Sequence, residues 1–286
     1  MTDPRPDALR GISDTARWVA VYRARETERP DALFRDPHAR KLAGERGEEI
    51  ERLLSGGKDL QSWSFVTRTV VFDRLVAEQV RKGADLVVNL AAGLDTRPYR
   101  MALPSSLRWI EVDLPELMAY KQEVLRDEAP SCRLERVSLD LADVEARRAL
   151  FAKLGEETAS GLVITEGLLI YLSGEEVGAL AADLAGPGGL RHWVLDISSP
   201  GLKKMIDKQF GAHLSRANAP LKFAPPEGPA FFVPFGWEPE DVRSLIKEAR
   251  PLGRLSPLMR FLSMLPESKG RQGGRPWSGV CLMRRR

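Results

Sequence analysis

A strand-like run ends in a short turn whose residues could hold a nucleoside. The stretch from Val87 to Arg100 reads VVNLAAGLDTRPYR. Dinucleotide sites carry glycines in the pattern G-x-G-x-x-G, and the three glycine places here hold Ala91, Gly93 and Thr96. Asp113 ends a second strand-like run, WIEVD, 20 residues after Gly93, where a carboxylate can accept both ribose hydroxyls. The spacing predicts a site for an adenosine without a pyrophosphate.

Each of these two residues also has a purely structural interpretation. A glycine at position 93 suits any tight turn from a strand into a helix, because it has no Cβ. Asp113 precedes Leu114-Pro115-Glu116, so its carboxylate could cap the first turn of a helix. The combination of the two residues favours binding.

Two further polar residues lie in apolar segments. Glu166 sits in VITEGLLIYL, where a carboxylate needs a partner or a raised pKa, and Tyr171 follows five residues later. Arg68 comes three residues after Phe65 and four before Phe72, so it borders the apolar face of a predicted helix. Glu166 and Arg68 are therefore site candidates, although Arg68 could instead pair with a carboxylate on its own helix.

Short apolar runs alternate with amphipathic segments after Gly83, which is typical of a parallel sheet with helices on both faces. Strands are expected at 85–90, 108–113, 132–139, 162–167, 192–198 and 277–286. Helices are expected at 14–28, 62–82, 115–129, 143–155, 173–186 and 239–250. Ser173 and Glu176 have the spacing of a capping box at the start of the fifth helix.

The segment 200–237 is rich in proline and phenylalanine, and it is expected to be an irregular lid. Four aromatic residues at its end could form an apolar wall for a substrate: Phe231, Phe232, Phe235 and Trp237.

Composition excludes several classes of protein. The 43 basic and 40 acidic residues are mixed along the chain, which argues against a surface that follows nucleic acid phosphates. His38, His192 and His213 are scattered and the two cysteines stand alone, so no metal site is expected. No signal peptide and no long apolar run is visible, so no membrane association and a cytoplasmic location are expected.

Four segments occur in the order in which they are found in one known family. VVNLAAGLDTRPYR, WIEVDLPE, VSLDLAD and VITEGLLIYLSGEEV resemble the leucine carboxyl methyltransferase family and its bacterial relatives, which include small-molecule O-methyltransferases. The N-terminal RARETERPDALFRDPHA is similar to the lead segment of that family. The resemblance extends from about Asp14 to Leu180.

The resemblance implies a Rossmann-like class I methyltransferase fold, with a mostly parallel seven-stranded sheet and helices on both faces. A single domain, 1–286, is then expected. It would have an N-terminal helical cap (1–82), a cofactor-binding core (83–199), a lid insertion (200–237) and a segment that completes the core (238–286).

The resemblance also implies a role for individual residues in binding S-adenosyl-L-methionine. Gly93 would lie against the methionine part and Asp113 would bind the ribose. Asp140 and Leu141 would hold the adenine, and Arg68 would bind the carboxylate of the cofactor.

Three more residues match the family pattern. Arg25 stands where better-known members have a lysine near the cofactor, and an ion pair with a nearby acidic residue is an equal alternative. Glu166 and Tyr171 match an acidic residue and a tyrosine at the reactive end of the cofactor.

The expected activity is methyl transfer from S-adenosyl-L-methionine to an oxygen of a small acid or phenol. A carboxylate acceptor is favoured, since it is ionised at neutral pH and needs no base. A hydroxyl acceptor would need one, and Glu166, Tyr171 and His213 are the candidates. A protein that binds the cofactor without turnover, and an enzyme acting on a protein C-terminal carboxylate, are the alternatives. A dehydrogenase is disfavoured by Ala91 and Thr96.

Overall fold

Apolar strands and amphipathic helices build a seven-stranded sheet with helices on both faces in the described part of the chain. The computed structural model describes residues 12–55, 62–216, 219–267 and 273–286. The strands are β1 Leu86–Leu90, β2 Arg108–Asp113, β3 Arg133–Ser138, β4 Gly161–Thr165, β5 Leu190–Ser198, β6 Trp237–Ser244 and β7 Ser278–Arg285.

The strand order is β3-β2-β1-β4-β5-β7-β6. The first five strands along the chain run parallel, whereas β7 is antiparallel to both of its neighbours, β5 and β6. The expected mostly parallel seven-stranded fold is confirmed. The chain leaves β1 toward β2 on one side and leaves β4 toward β5 on the other side, so the strand order reverses between β1 and β4. At such a point a crevice opens at the carboxyl ends of the strands, and ligands of α/β sheets bind there.

Helices form both covering layers and the N-terminal part. They are α1 Ile12–Glu28, α2 Ala39–Ser55, α3 Ser62–Arg81, α4 Arg97–Arg100, α5 Pro115–Val124, α6 Val144–Glu156, α7 Gly174–Ala185, α8 Pro200–Arg216, α9 Leu245–Ala249 and α10 Pro257–Leu262. Two 3₁₀ helices cover Leu169–Tyr171 and Gly228–Phe235.

The sheet has a hydrophobic core on each face because alternate residues of a strand point in opposite directions. In β1, Leu86, Val88 and Leu90 pack with α6 and α7. Val87 points the other way, toward the Phe72 side of α3. This arrangement presses α3, which carries Arg68, against the carboxyl ends of the central strands.

Helix α2 was not expected from the sequence. It packs along α1, and Gly47 makes the close approach possible, since a Cβ there would lie 3.0 Å from the backbone oxygen of Arg17. Gly44, with φ +60°, interrupts the regular helical geometry of α2. Because glycine is a poor helix former, the two glycines make α2 difficult to predict from residue propensities.

The expected irregular segment 200–237 begins instead with the 17-residue helix α8. The proline at its start misled the prediction: Pro200 occupies the first turn of α8, where a missing N–H costs nothing. Phe210 and Leu214 of α8 are buried against Trp18 and Tyr22 of α1, and this packing stabilises the helix.

The expected helix 239–250 is also wrong for most of its length. Residues 237–244 form the edge strand β6, and the helix α9 covers only 245–249. Pairing with β7 decides this, with a register shift beside Pro239 that an edge strand tolerates. Strand pairing with a distant segment therefore overrides the local helical pattern.

Within the ranges that the structure describes, no helix is long and apolar enough to cross a membrane. The same ranges contain no group of three or more histidine, cysteine, aspartate or glutamate side chains arranged to hold a metal ion.

Candidate functional site

The turn after β1 brings Gly93 onto Asp113. Gly93 has φ +51°, and its backbone N–H donates to Oδ2 of Asp113 at 2.6 Å. The Leu114 N–H donates to Oδ1 of the same carboxylate at 2.7 Å. A parallel pairing of β1 with β2 explains the contact, since Leu90 lies opposite Val112 and both strands end at the same edge. Asp113 therefore accepts two backbone N–H groups and faces the cavity. It does not cap α5, whose N-cap residue is Leu114 with no side-chain hydrogen bond, and the ribose contact stays a prediction.

Ala91 adopts the conformation that the absent glycine would favour. Its φ is +51°, a left-handed value that costs a residue with a Cβ on the order of 1 kcal/mol. The turn therefore keeps the glycine geometry although the glycine has been replaced, and Ala91 still lines the cavity.

Burial affects the charge state of Asp113. Removal from water raises the pKa of its carboxyl, and the N–H groups of Gly93 and Leu114 oppose this effect. A carboxylate has about four lone-pair positions, so two remain after these bonds. That number matches the two hydroxyls of a ribose.

Arg68 and Glu166 meet at the carboxyl end of β4. The Nε of Arg68 donates to Oε1 of Glu166 at 3.0 Å, and its Nη1 donates to Oδ2 of Asp196 at 3.1 Å. All three side chains are mostly buried and line the cavity. The partner that the Glu166 carboxylate was expected to need is thus an arginine from α3. The ion pairs of Arg68 are with Glu166 and Asp196 and not with a carboxylate of its own helix, and its contact with the cofactor stays a prediction.

Arg97, from the DTR segment after the turn, completes this cluster. Its Nη2 lies 2.8 Å from Oε2 of Glu166, and its Nε donates to Asp73 at 2.8 Å. Its Nη1 donates to Asp95, and Asp95 in turn accepts from the Asn89 amide. One guanidinium therefore joins three carboxylates from three different elements.

Two pKa values in this cluster are strongly perturbed. Burial tends to raise the pKa of Asp95, but the charges of Arg97, Lys121 and Arg100 outweigh it and hold this pKa well below its usual range. Burial tends to lower the pKa of Arg97. The charges of Asp95, Glu166 and Asp73 outweigh burial and raise this pKa far above its ordinary value. Both shifts favour the ionised forms of Asp95 and Arg97 at neutral pH.

Asp196 at the end of β5 is a site residue that the sequence analysis missed. Its Oδ1 accepts the Gly167 N–H at 2.7 Å, opposite the oxygen that Arg68 contacts. Burial raises its pKa, and the charge of Glu166 adds to the rise while Arg68 opposes it. A carboxylate in an apolar strand, the signal that singled out Glu166, is present in HWVLDIS as well and could have identified it.

Asp140, Leu141 and Tyr171 also line the cavity. The Asp140 carboxylate accepts the Ala142 N–H, and the Leu141 carbonyl accepts from Arg147. The Tyr171 hydroxyl shares a hydrogen bond with Thr15, and burial raises the pKa of this tyrosine. These residues and the Gly93 turn border one continuous space.

Arg25 lies elsewhere. Its Nη2 contacts Glu51 at 2.5 Å and Glu48 at 3.4 Å, both on α2, and it is not among the described residues that line the cavity. Arg23, two residues earlier, faces the cavity instead and donates to the Leu94 carbonyl at 2.6 Å. Of the two alternatives for Arg25, the structure shows an ion pair, with partners on a helix that the sequence did not predict.

The cavity itself has a volume of about 1480 Å³. This exceeds the roughly 300–1,000 Å³ of a pocket for one drug-sized ligand, so a second molecule has room beside the first. The prediction that Phe231, Phe232, Phe235 and Trp237 form an apolar wall for a substrate is wrong, because none of them lines this cavity. Phe232 and Trp237 pack edge-on against Trp193 in the core, and Phe235 covers Gly178. From the 200–237 segment, Phe210, Leu221 and Phe223 line the cavity.

The chain is similar to a defined family and to several solved structures. The model of the leucine carboxyl methyltransferase family matches residues 16–185. A Streptomyces avermitilis protein, provisionally named as an S-adenosyl-L-methionine-dependent methyltransferase, is 32% identical over 92% of this chain and 94% of its own. A Frankia alni protein with the same provisional name is 31% identical over 86% of this chain and 90% of its own.

Two solved structures share the fold at low sequence identity. A DUF574 family protein from Streptomyces avermitilis has a TM-score of 0.63 and 13% identity, covering 95% of this chain and 97% of that one. A provisionally named methyltransferase from Thermobifida fusca has a TM-score of 0.62 and 15% identity, covering 97% of this chain and 96% of that one. The family model, which matches more than half of the chain, and the full-length relatives agree: the chain belongs to the leucine carboxyl methyltransferase family of S-adenosyl-L-methionine-dependent methyltransferases.

Proposed function

We propose that this methyltransferase transfers the methyl group of S-adenosyl-L-methionine to a carboxylate oxygen of a small acid. The observation that carries the proposal is the state of the possible bases around the cavity. Glu166 has both oxygens bonded to guanidinium groups, and Tyr171 has a raised pKa that keeps it protonated at neutral pH. An ionised carboxylate is the acceptor that needs no base.

His213, the third candidate base, supports the same conclusion. None of the three histidines of the sequence, all of which fall within the described residues, lines the cavity. His213 lies on α8 with a buried Nδ1 instead.

The cavity suits the cofactor along its whole length. Asp113 would hold the ribose with its two remaining lone-pair positions, Gly93 would lie against the methionine part, and Asp140 and Leu141 would hold the adenine. Arg68 has five N–H donors and uses one on Nε and one on Nη1 for Glu166 and Asp196, so donors remain for the carboxylate of the methionine part.

Charge supports this arrangement. Asp73, Asp95, Glu166 and Asp196 are four carboxylates that share three guanidiniums, those of Arg68, Arg97 and Arg100. With all seven side chains ionised, the cluster would carry one negative charge in excess, which would attract a ligand with a positive sulfonium.

When bound, the cofactor supplies an electrophilic methyl group on a positively charged sulfur. An ionised carboxylate of the acceptor could take up this methyl group as the sulfonium becomes a neutral thioether, so no proton would need to move. The protein contributes position and a water-poor surface. Arg97 contributes by holding Glu166, and Asp196 by holding Arg68.

A radiolabel assay tests the proposal. The enzyme is incubated with methyl-labelled S-adenosyl-L-methionine and a panel of carboxylic acids and phenols, and the product is treated with alkali. Methyl esters release labelled methanol, whereas methyl ethers are stable. Alkali-labile products support the proposal. Only stable products would show that hydroxyls are the acceptors.

Asp196 favours hydroxyl methylation as a second candidate. A carboxylate in the cavity whose pKa is raised by burial is a better proton acceptor than an exposed one. In this case the rate with a phenol rises with pH as Asp196 loses its proton, and Asp196→Asn abolishes the rise.

The same assay, with peptides and peptide amides added to the panel, separates the two remaining alternatives. A protein that only binds the cofactor would retain S-adenosyl-L-methionine tightly and label none of the compounds. An enzyme for protein C-termini would label peptides with a free C-terminal carboxylate and leave peptide amides unlabelled.

A further inference from the structure

An apolar rim borders the opening of the cavity. Met205 of α8 is 50% exposed, and Leu262 and Leu265, at and after the end of α10, are 39% and 49% exposed. All three side chains also line the cavity. These three apolar side chains therefore belong both to the cavity lining and to the outer surface of the protein. Contiguous exposed apolar surface of this kind typically marks a binding site.

Inward from the rim lies an apolar corridor. One wall is formed by Leu202, Ile206 and Phe210 of α8, and Met259 and Trp277 also line it. The start of α8 is fastened to the Trp277 segment, because the Ser199 hydroxyl accepts the Trp277 N–H at 3.0 Å and Ser199 N donates to the Trp277 carbonyl at 2.8 Å. These two hydrogen bonds hold the start of α8 next to Trp277.

The inner end of the corridor is polar. Ser198 lies two residues after Asp196 on β5, so both side chains project from the same face of the strand, about 7 Å apart. Both line the cavity. The Ser198 hydroxyl is buried and has no hydrogen-bond partner among the described residues. Buried hydroxyls normally have a partner, so this one is available to a ligand.

From these observations we propose that the acceptor is an amphipathic carboxylic acid with an extended unbranched apolar chain. The proposal rests on the proposed carboxylate methylation. The carboxylate head lies at the inner end of the corridor, where the Ser198 hydroxyl donates to one of its oxygens. The chain follows the corridor between α8 and Trp277 and reaches the rim at Leu265.

A chain-length series is the first test. Straight-chain acids from butanoic to dodecanoic are methylated with labelled S-adenosyl-L-methionine, and kcat/KM is measured for each. Burial of a CH₂ contributes about 0.8 kcal/mol, so kcat/KM should rise by up to about fourfold for each methylene and level off once the chain passes the rim. A flat series, or one that falls with length, would overturn the proposal.

Two exposed leucines provide a matched pair of variants. Leu265 lines the cavity, whereas Leu258, on α10, is 67% exposed and is not among the described residues that line it. Leu265→Ser should lower kcat/KM for dodecanoic acid several-fold and leave butanoic acid unchanged. Leu258→Ser should change neither. Because both side chains are exposed, neither change should prevent folding, and equal effects of the two would contradict the corridor.

Direct binding separates failure of this inference from failure of the proposed function. Dodecanoate is titrated calorimetrically into the enzyme saturated with S-adenosylhomocysteine, with Leu265→Ser as the comparison. If no acid is methylated but dodecanoate binds in a Leu265-dependent way, the corridor stands and the proposed function is wrong. If acids of all lengths are methylated equally and dodecanoate does not bind, the function stands and the corridor is wrong.

Discussion

Nη2 of Arg97 lies 2.8 Å from Oε2 of Glu166, so the turn after β1 and the end of β4 are joined by one ion pair. Arg97 is only 2% exposed and also contacts Asp73 and Asp95. The DTR segment after the turn is explained by this contact. Its arginine aligns a glutamate that in turn aligns Arg68.

Replacement of Arg97 should destabilise the fold strongly. Arg97→Met would leave Asp73, Asp95 and Glu166 without their shared cation. The cost of an unpaired buried charge is about 3–5 kcal/mol. Urea unfolding followed by tryptophan fluorescence measures it. Arg108→Met is the control, because Arg108 is more exposed and pairs with Glu157 at the surface, where the loss should be about 1 kcal/mol or less. Similar losses for both variants would refute the role of Arg97.

Arg68 should contribute to binding of the carboxylate of the cofactor, and Arg25 should not. A hydrogen bond to a charged group is worth about 1.5–3 kcal/mol, so Arg68→Lys should weaken S-adenosylhomocysteine binding on the order of tenfold or more in calorimetry. Methylthioadenosine lacks this carboxylate, and its affinity should be unchanged. Arg25→Lys should leave both affinities unchanged, since Arg25 pairs with Glu51 and Glu48. A large loss in the Arg25 variant would contradict this assignment.

Asp113, in contrast to Arg68, should contribute to the affinity for both S-adenosylhomocysteine and methylthioadenosine. Asp113→Asn replaces one carboxylate oxygen by an NH₂ group, which cannot accept from a ribose hydroxyl or from a backbone N–H. Affinities for S-adenosylhomocysteine and methylthioadenosine should both fall by about tenfold or more. Glu116→Gln, an exposed carboxylate on α5, is the control. If the affinity fell for only one of the two ligands, a contact between Asp113 and the ribose would be excluded.

Ala91 offers a test of backbone strain. Ala91→Gly removes a Cβ from a left-handed conformation, which should offset the extra freedom that glycine gives to the unfolded chain. The free energy of unfolding should stay the same or rise by up to about 1 kcal/mol. Ala92→Gly, next to it in the turn, should lower it by about 1 kcal/mol, because glycine increases the entropy of the unfolded chain. An equal loss in both variants would show that Ala91 is not strained.

Acid should destabilise the protein partly through Asp36. Burial tends to raise the pKa of this carboxyl, but the charges of Arg23 and Arg100 and a hydrogen bond from Thr96 lower it below the value in the unfolded chain. A carboxylate with a lowered folded pKa stabilises the native state above the unfolded pKa of about 3.9, and this stabilisation is lost as the pH falls toward the folded pKa.

The measurement is the free energy of unfolding between pH 5 and pH 3. Asp36→Asn should be less stable than the native protein at pH 7 and should lose less stability as the pH falls. Asp31→Asn, at a largely exposed carboxylate, should produce a smaller change in both respects. If Asp36→Asn left the pH dependence of the free energy of unfolding unchanged, another carboxylate would dominate the acid destabilisation.

The contact between Gly93 and Asp113 could be predicted from the sequence. Both residues end apolar strands, and parallel strands bring their carboxyl ends to one edge of the sheet, so local patterns determine which residues meet. Arg68 and Glu166 are 98 residues apart, and the resemblance to a family indicated that both belong to the site.

Tertiary structure decided the remaining features because each depends on a partner that is distant in the chain. Arg25 turns toward Glu51 since α2 packs along α1, and β6 is a strand rather than a helix since β7 is available to pair with it. Asp196 joins the site because β5 ends beside β4. Local propensity specifies an amphipathic segment or a turn. Which arginines and carboxylates pair with each other depends instead on the packed elements, which bring only some of these side chains within about 3 Å of each other.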